Sequence, residues 1–466
     1  MSDLILSAIL NTDSYKHSHF LQYPPGATRV SSYVEARKGG AYPEAVVFGL
    51  QAFLKAYLTR PVAMADVNEG AEVAHAHCVP FNLAGWRLLV DRHGGRLPLE
   101  IRAVAEGTVL PGGQVMAEVV NTDPDFHWLT SFIETALLRA IWYPTTVATI
   151  AWRIRKLIGG YLERTSEAAD GPALDFALND FGSRGVSSLE SAALGGMAHL
   201  LSFDGTDNLA GVVAARRFYD APITAQSVPA AEHSTITSWG KAREVDAYRN
   251  MIEQFAPAFP IIAVVSDSYD LDHAVKALWG RDLKAKVDAC GSRLVVRPDS
   301  GDPGQIVHAT IESLMGAYGF TTNARGCRVL PDHVRVIQGD GVEEASIGQV
   351  LGRLEGVRIS AENVVFGMGG GLLQKCNRDT LRFAMKCSAV EIDGEWRDVQ
   401  KRPATDLSKA SKAGRLCLVR DGDGVFQTVR SDQRGDRVDL LEPVFRDGEI
   451  IRACAFGEVQ ARVRGV

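Results

Sequence analysis

From about residue 173 to residue 371, short runs of aliphatic and β-branched residues alternate with longer stretches of helical period. The runs are ALDFAL (173–178), PITAQSV (222–228), PIIAVVS (260–266), RLVVRP (293–298), VRVIQ (334–338) and NVVFGM (363–368). Between them, LDHAVKALWGRDLKAKV (271–287) and PGQIVHATIESLMGAYG (303–319) carry the apolar spacing of amphipathic helices. This alternation predicts parallel strands covered by helices. Before residue 125 the period changes: RLPLEIRAVAEGTVLPGGQVMAEVVNT (96–122) alternates with period two and breaks at Gly and Pro, as antiparallel strands do. RLCLVRDGDGVFQTVRS (415–431) and DLLEPVFRDGEIIRACAF (439–456) show the same pattern, with Asp-Gly turn signals. The fold class expected is α/β, an irregular barrel-like core flanked by β-rich ends that pack together. The expected divisions are residues 1–140, 141–385 and 386–466.

Each predicted core strand is followed at once by polar or glycine-rich residues: NDFGSRG (179–185), AAEHS (230–234), SDSYD (266–270), RPDSGDP (297–303), QGDG (338–341) and GMGGG (367–371). FDGTD (203–207) follows a further apolar stretch. Parallel α/β folds bind ligands at the C-terminal ends of their strands, so six such loops at six strand ends mark a site. The GMGGG run offers backbone N–H groups that approach a phosphate without Cβ interference, although it matches neither G-x-x-x-x-G-K-[ST] nor G-x-G-x-x-G. Arg184, Arg297 with Asp299, and Arg335 with Asp340 supply cations for oxyanions and acids for hydroxyls or magnesium-bound water. Singly, each is an ordinary surface pair worth under ~1 kcal/mol; together at one mouth they fit a phosphosugar.

Phe181, in a polar loop, reads either as a hydrophobic anchor or as a face for a planar ring. The pair Glu232-His233 stands among small residues, where Ser234 and Thr235 also suit a helix N-cap. Arg378, Lys386, Lys401, Lys409 and Lys412 read as solvated charge or as contacts for a polyphosphate. HSH (17–19) and HAHC (75–78) look like metal ligands but lack a second cluster, so no metal is assigned to them.

Bulk properties narrow the class. With 466 residues, 46% hydrophobic and 23% charged, the chain can bury a large core. Its net charge of −6 argues against a general nucleic-acid binder. Seven scattered cysteines without C-x-x-C spacing fit a reducing compartment. The start, MSDLILSAILNTDSYKHSH, lacks a basic region followed by an unbroken apolar run, and no apolar stretch nears ~20 residues, so a cytoplasmic protein is expected.

TDSYKHSHFLQYPPG (12–26), NDFGSRGVSS, SVPAAEHSTITSWGK, VVSDSYD, RPDSGDP, RVIQGDGV and GMGGGLLQK followed by RD closely resemble the nicotinamide phosphoribosyltransferase family, in order from about residue 8 to about residue 418. The resemblance implies a type II phosphoribosyltransferase-like fold and a pentosyl transfer. Nicotinamide and phosphoribosyl pyrophosphate would give nicotinamide mononucleotide and pyrophosphate, the first step of NAD salvage from nicotinamide. It also implies Mg2+, ATP acting through a phosphohistidine, and a homodimer with shared active sites.

Carried over by position, Phe181 would stack on one face of the pyridine and Tyr15 of the partner subunit on the other. Asp207 would accept from the carboxamide; Arg184 and Arg297 would line the nicotinamide and ribose site; Asp299, Gly339 and Asp340 would hold the ribose. Gly369 and Gly370 would cradle the 5-phosphate, and Arg37, Arg378, Lys386 and Lys401 from the partner chain would meet the phosphates. His233 would be the phosphorylated residue, oriented by Asp267 and flanked by Glu232. Four positions depart from vertebrate members: Asn179 stands for a histidine, and Ala263, Met368 and Ala384 for serines, which bears on ring affinity and one phosphate contact. Two other readings are a nicotinate phosphoribosyltransferase, disfavoured by a carboxylate at Asp207, and a non-catalytic phosphosugar-binding protein.

Overall fold

A computed structural model describes residues 7–402 and 410–465, so Lys409 lies outside the described residues. The chain divides into two compact units. One comprises Met1–Thr149, Ala215–Ala221 and Cys376–Val466; the other comprises Ile150–Ala214 and Pro222–Lys375. The divisions expected after residues 140 and 385 thus lie at 149/150 and 375/376, and residues 215–221 join the first unit. Among the described residues no helix is long and apolar enough to cross a membrane.

The second unit is built on six short parallel strands in the order Gly205–Thr206, Leu178–Asp180, Val364–Met368, Val334–Gln338, Arg293–Arg297 and Ile261–Val265. Four coincide with sequence runs; two runs do not form the strands expected. In ALDFAL, Pro172 occupies the first position of a helical turn, Pro172–Asp175, after Gly171 at φ 63°, and the strand starts only at Leu178. PITAQSV makes no strand. Instead Gln226 bridges Gly205 on one edge of the sheet, and Ala230, just beyond the run, bridges Ala263 on the other, both in parallel. Backbone hydrogen bonds of 2.9 Å carry both bridges, from Thr206 N to Gln226 O and from Ala263 N to Pro229 O. The sheet is therefore a curled one whose two edges are joined by one extended stretch. Side chains of Ala263, Val295 and Ile337 form a buried apolar cluster, with Phe181, Val228 and Val365 packed against it. The helix Pro303–Tyr318 matches its predicted span, with Asp302 capping it by accepting from the Gln305 amide at 2.8 Å.

The first unit interleaves the two ends of the chain in one seven-stranded sheet, ordered Glu395–Asp398, Phe383–Ile392, Ala27–Ala36, Val115–Asn121, Leu99–Ala103, Glu442–Arg446, Glu449–Ile450. The Phe383–Ile392 strand pairs antiparallel with Ala27–Ala36, setting Lys386 opposite Tyr33 and Ala384 opposite Glu35. Val115–Asn121 is buried along its whole length. Its Glu118 is held there by Arg102, Arg415 and the Ser31 hydroxyl, so a charged residue is tolerated only as part of a paired cluster. All seven cysteines are free thiols.

Residues 215–221 belong to this unit because Tyr219 is fully buried in it. The ring stacks on Phe48 at 5.1 Å, and its hydroxyl donates to Glu106 at 2.6 Å. The Gln51 side chain donates to the Phe218 carbonyl at 2.8 Å. Burial pushes the Glu106 carboxyl up, and its bonds from Tyr219 and the Gln51 amide pull against that shift. Tyr219→Phe keeps the ring and removes one donor from a buried carboxyl group. We expect a loss of about 1–3 kcal/mol, read as a lower urea midpoint; an unchanged midpoint would show that Glu106 does not depend on this bond.

Candidate active site

The strand ends of the second unit carry the residues singled out in the sequence. Phe181 follows Leu178–Asp180, and its amide donates to the Met368 carbonyl at 3.0 Å, tying two neighbouring strand ends. Its ring lies on the backbone of Gly367: a Cβ there would sit 1.9 Å from Phe181 Cε2. The glycine thus explains how an aromatic ring can lie flat at a strand end, and the Arg297 guanidinium lies 5.8 Å from its centroid. Arg184 follows in the same loop, exposed. Asp207 is exposed just past Gly205–Thr206; its amide donates to the Asp180 carbonyl at 3.0 Å and its carboxylate accepts from Ser227 at 2.5 Å.

His233 opens a five-residue helix, His233–Thr237, for which Glu232 rather than Ser234 or Thr235 stands at the N-cap. The Ser234 hydroxyl bonds the Glu232 carboxylate, and Thr235 Oγ1 donates to the Glu232 carbonyl at 2.9 Å. The His233 Nε2 lies 2.9 Å from Asp267 Oδ1, with His233 half exposed and Asp267 nearly buried. The other Asp267 oxygen accepts from the Ser300 amide at 2.9 Å and from its hydroxyl. Burial alone would raise the Asp267 carboxyl, but hydrogen bonds from Ser300 and His233 outweigh it and hold it below its ordinary range. At neutral pH this carboxylate is charged and fixes the imidazole.

Arg297 and Asp299 pair with each other at 2.8 Å. Gly339 lies against that pair, since a Cβ would come within 3.1 Å of Arg297 Nε and 3.3 Å of Asp299 Oδ1. Asp340 is exposed, and its carbonyl accepts from the buried Gln338 side chain at 2.8 Å. Gly369 caps the turn Gly370–Leu373, and a Cβ at Gly370 would meet nothing within 4 Å. Packing therefore does not require a glycine at position 370. Arg335 does not pair with Asp340 as the sequence suggests. It sits at the start of its strand, buried, with its guanidinium donating to the carbonyls of Leu330, Pro331 and Val334. It satisfies loop carbonyls at the end of the strand away from Asp340.

In the first unit, Arg37, Arg378, Lys386 and Lys401 line one cavity of about 560 Å³ together with Arg382, Glu134 and Asp379. Glu134 is engaged by Lys16 and Asp379 pairs with Arg378 at 3.2 Å, so the cavity keeps an excess of cations. Burial, with Arg37, Lys16 and Lys401 nearby, lowers the Lys386 ammonium from its ordinary range, and Glu134 offsets only part of this. Such a cavity favours a polyanion. Lys412 instead bonds Glu35, outside the cavity lining. Tyr15, in the 3-10 segment Ser14–Leu21, is 57% exposed, with His19 edge-on to its ring.

The motif reading passes over several residues that hold this arrangement. Ser227 and Ser300 sit inside quoted motifs, but serine is common in any loop. Asp180 and Asn208 neighbour singled-out residues and are fully buried, which sequence does not reveal. Arg382 joins the cavity lining although its backbone amide closes a tight turn on the Asp379 carbonyl, with φ 54°, and its guanidinium donates to the Lys38 carbonyl at 3.1 Å. Among the described residues no group of three or more His, Cys, Asp or Glu side chains is placed to hold a metal. His17 is buried between Phe81 and Phe132, and His75 and His77 are exposed at a helix end.

Comparisons with known proteins bear on this arrangement. The sequence profile of the nicotinate phosphoribosyltransferase (NAPRTase) family matches residues 176–449, and that of the nicotinamide phosphoribosyltransferase N-terminal domain matches residues 7–101. The chain is 50% identical over 458 residues to a nicotinamide phosphoribosyltransferase of Xanthomonas campestris pv. campestris, covering 97% of each. It is 30% identical over 487 residues to one of Acinetobacter baylyi, covering 97% and 96%. The fold is shared with a nicotinate-nucleotide pyrophosphorylase from Pyrococcus furiosus (TM-score 0.63, 17% identity, 98% of this chain and 95% of that one). It is shared also with human nicotinic acid phosphoribosyltransferase (TM-score 0.58, 19% identity, 97% and 93%). An α/β core with polar and glycine-rich loops at its parallel strand ends, and profiles that cover most of its length, identify the chain as a phosphoribosyltransferase that belongs to the nicotinate phosphoribosyltransferase family.

Proposed function

We propose that the enzyme transfers the 5-phosphoribosyl group of phosphoribosyl pyrophosphate to nicotinamide, giving nicotinamide mononucleotide and pyrophosphate. One observation carries the choice of base. An exposed acid, Asp207, stands beside the Phe181 loop, hydrogen-bonded through its amide to Asp180. A carboxylate there accepts from a carboxamide and repels a second carboxylate. The names of the Xanthomonas and Acinetobacter relatives support the same base.

The pyridine nitrogen attacks the anomeric carbon with its lone pair, and the C–O bond to pyrophosphate breaks with its electron pair leaving on the oxygen. No proton need be removed from the nucleophile. Catalysis is therefore positioning plus stabilisation of charge. Phe181 and Asp207 aim the ring, Arg184 and Arg297 line the nicotinamide and ribose site, and Asp299, Gly339 and Asp340 hold the ribose. The open backbone at Gly369 and Gly370 suits the 5-phosphate. The donor set fits magnesium carried in on polyphosphate, because that ion usually takes only one or two carboxylates besides substrate oxygens. Asp299 and Asp340 are the acids that would meet it, and when bound it supplies neutralisation of the leaving group.

The basic cavity of Arg37, Arg378, Lys386 and Lys401 would receive the phosphates and pyrophosphate, and with Tyr15 it would be supplied by the second chain of a homodimer. ATP use falls to His233. Its Nε2 faces Asp267, which leaves Nδ1 for a phosphoryl group. That group would add about −1.5 to −2 charge beside the strand ends and change how polyphosphate is held.

The direct test is turnover of phosphoribosyl pyrophosphate with nicotinamide against nicotinate, scored as mononucleotide. At ~4 Å and an effective dielectric of 20, Asp207 would repel nicotinate by about 4 kcal/mol, so nicotinamide should be used almost alone. Asp207→Asn should weaken nicotinamide use and narrow that preference; a wild type that uses both bases equally well contradicts the assignment. His233→Ala should abolish ATP hydrolysis and acid-labile phosphate incorporation while leaving slow mononucleotide synthesis at high substrate. Persistent labelling of that variant would place the phosphoryl group elsewhere. For the shared site, Phe181→Ala and Arg378→Ala homodimers should each be severely impaired. Refolding them together should restore up to about a quarter of wild-type activity, through one intact site per mixed dimer. Mixed dimers without recovery would locate each site within one chain.

A further inference from the structure

We propose that Asp180 and Asn208 form a buried clamp that sets the spacing between Phe181 and Asp207, making both of them positioning residues for base recognition. The proposal rests on the assignment of those two neighbours to the pyridine base. Both clamp residues are fully buried. One Asp180 oxygen accepts from the Gly182 amide at 2.7 Å, and the other from the Asn208 side chain at 2.9 Å. The Asp180 carbonyl accepts the Asp207 amide at 3.0 Å. A single aspartate therefore holds the residue after Phe181 and grips Asp207 from both sides, once through its own amide and once through its neighbour Asn208.

Asn208 is itself immobilised. Its amide donates also to the Ala192 carbonyl at 2.8 Å, its carbonyl accepts from Gly211 at 3.3 Å, and its backbone amide donates to Thr206 Oγ1 at 3.0 Å. The helix Leu189–His199 crowds it, since a Cβ on Gly196 would lie 2.4 Å from Asn208 Nδ2. A bland alternative is that Asp180 only closes a local turn. The Gly182 bond alone would do that. The second bond, across to the segment that bears Asp207, is not needed for a turn. The partners on both oxygens are neutral N–H groups, so the buried carboxylate costs desolvation that a smaller neutral residue would avoid. A fixed distance between a stacking face and a hydrogen-bond acceptor is what that cost secures.

Asp180→Asn keeps an oxygen for Gly182 and turns an amide group toward the Asn208 amide, so it cuts the clamp without changing size. Asn208→Ala cuts it from the other side. In each variant the nicotinamide KM should rise about tenfold, equivalent to about 1.4 kcal/mol. The KM for phosphoribosyl pyrophosphate should stay within about twofold, and the preference for nicotinamide over nicotinate should narrow. Because the bond that Asp180→Asn breaks is among those that Asn208→Ala removes, the double variant should be no worse than the poorer single one. Melting temperatures establish that each variant is folded, and if Asp180→Asn is not, the split is read from Asn208→Ala. Equal rises in both KM values, additive losses in the double variant, or lowered melting temperature with unchanged nicotinamide KM would overturn the clamp while wild-type turnover stands. Wild-type protein inactive with every pyridine base would overturn the base-site assignment, and the clamp with it.

Discussion

The parallel sheet of the second unit depends on two backbone bridges made by one extended stretch. Gln226 joins the edge strand Gly205–Thr206, and Ala230 joins the opposite edge at Ala263. Six strands of two to five residues bury little on their own, so a sheet this short needs its edges joined. The joining has chemical consequences. Gln226 pairing puts Ser227 beside Asp207, whose carboxylate it bonds. Ala230 pairing delivers the next turn of chain, with His233, to Asp267 at the neighbouring strand end.

Much of this was legible beforehand, for identifiable reasons. Apolar runs of the right length between helical periods marked four of the six parallel strands, and the glycine and polar residues after them marked where those strands end. The failures have causes too. ALDFAL follows Gly171-Pro172, a helix-start signal that its apolar composition hid. PITAQSV is needed only at Gln226, so its β-branched look overstated its pairing. Arg335 and Asp340 are near in sequence, yet about 10 Å of strand separates Arg335 from the strand end, and that alone argues against a shared site. Buried Asp180 and Asn208 carry no signal in a single sequence, because burial is a property of the assembled loops.

The two units divide the charge. The strand-end loops combine acids, hydroxyls and open glycine backbone with Arg184 and Arg297, whereas the other unit gathers Arg37, Arg378, Arg382, Lys386 and Lys401 around a cavity with few free acids. Residues 37 and 378–386 meet because the strand Ala27–Ala36 pairs with Phe383–Ile392, and the Arg37 amide donates to the Arg382 carbonyl. By residue type alone Arg378, Lys386 and Lys401 read as solvated charge or as polyphosphate contacts; the family resemblance groups them with Arg37, and the cavity adds Arg382. A lysine whose ammonium is disfavoured by burial and by neighbouring cations gains most when an anion arrives, so polyphosphate binding there should take up a proton as pH rises.

The central claim is that Phe181 and Asp207 together read the pyridine base. A crystal structure of the protein with nicotinamide mononucleotide bound tests it most directly. The expected result is a pyridine ring stacked on Phe181, its carboxamide nitrogen within about 3 Å of the Asp207 carboxylate. A ring bound away from Phe181, or a carboxamide turned from Asp207 toward other partners, would contradict it.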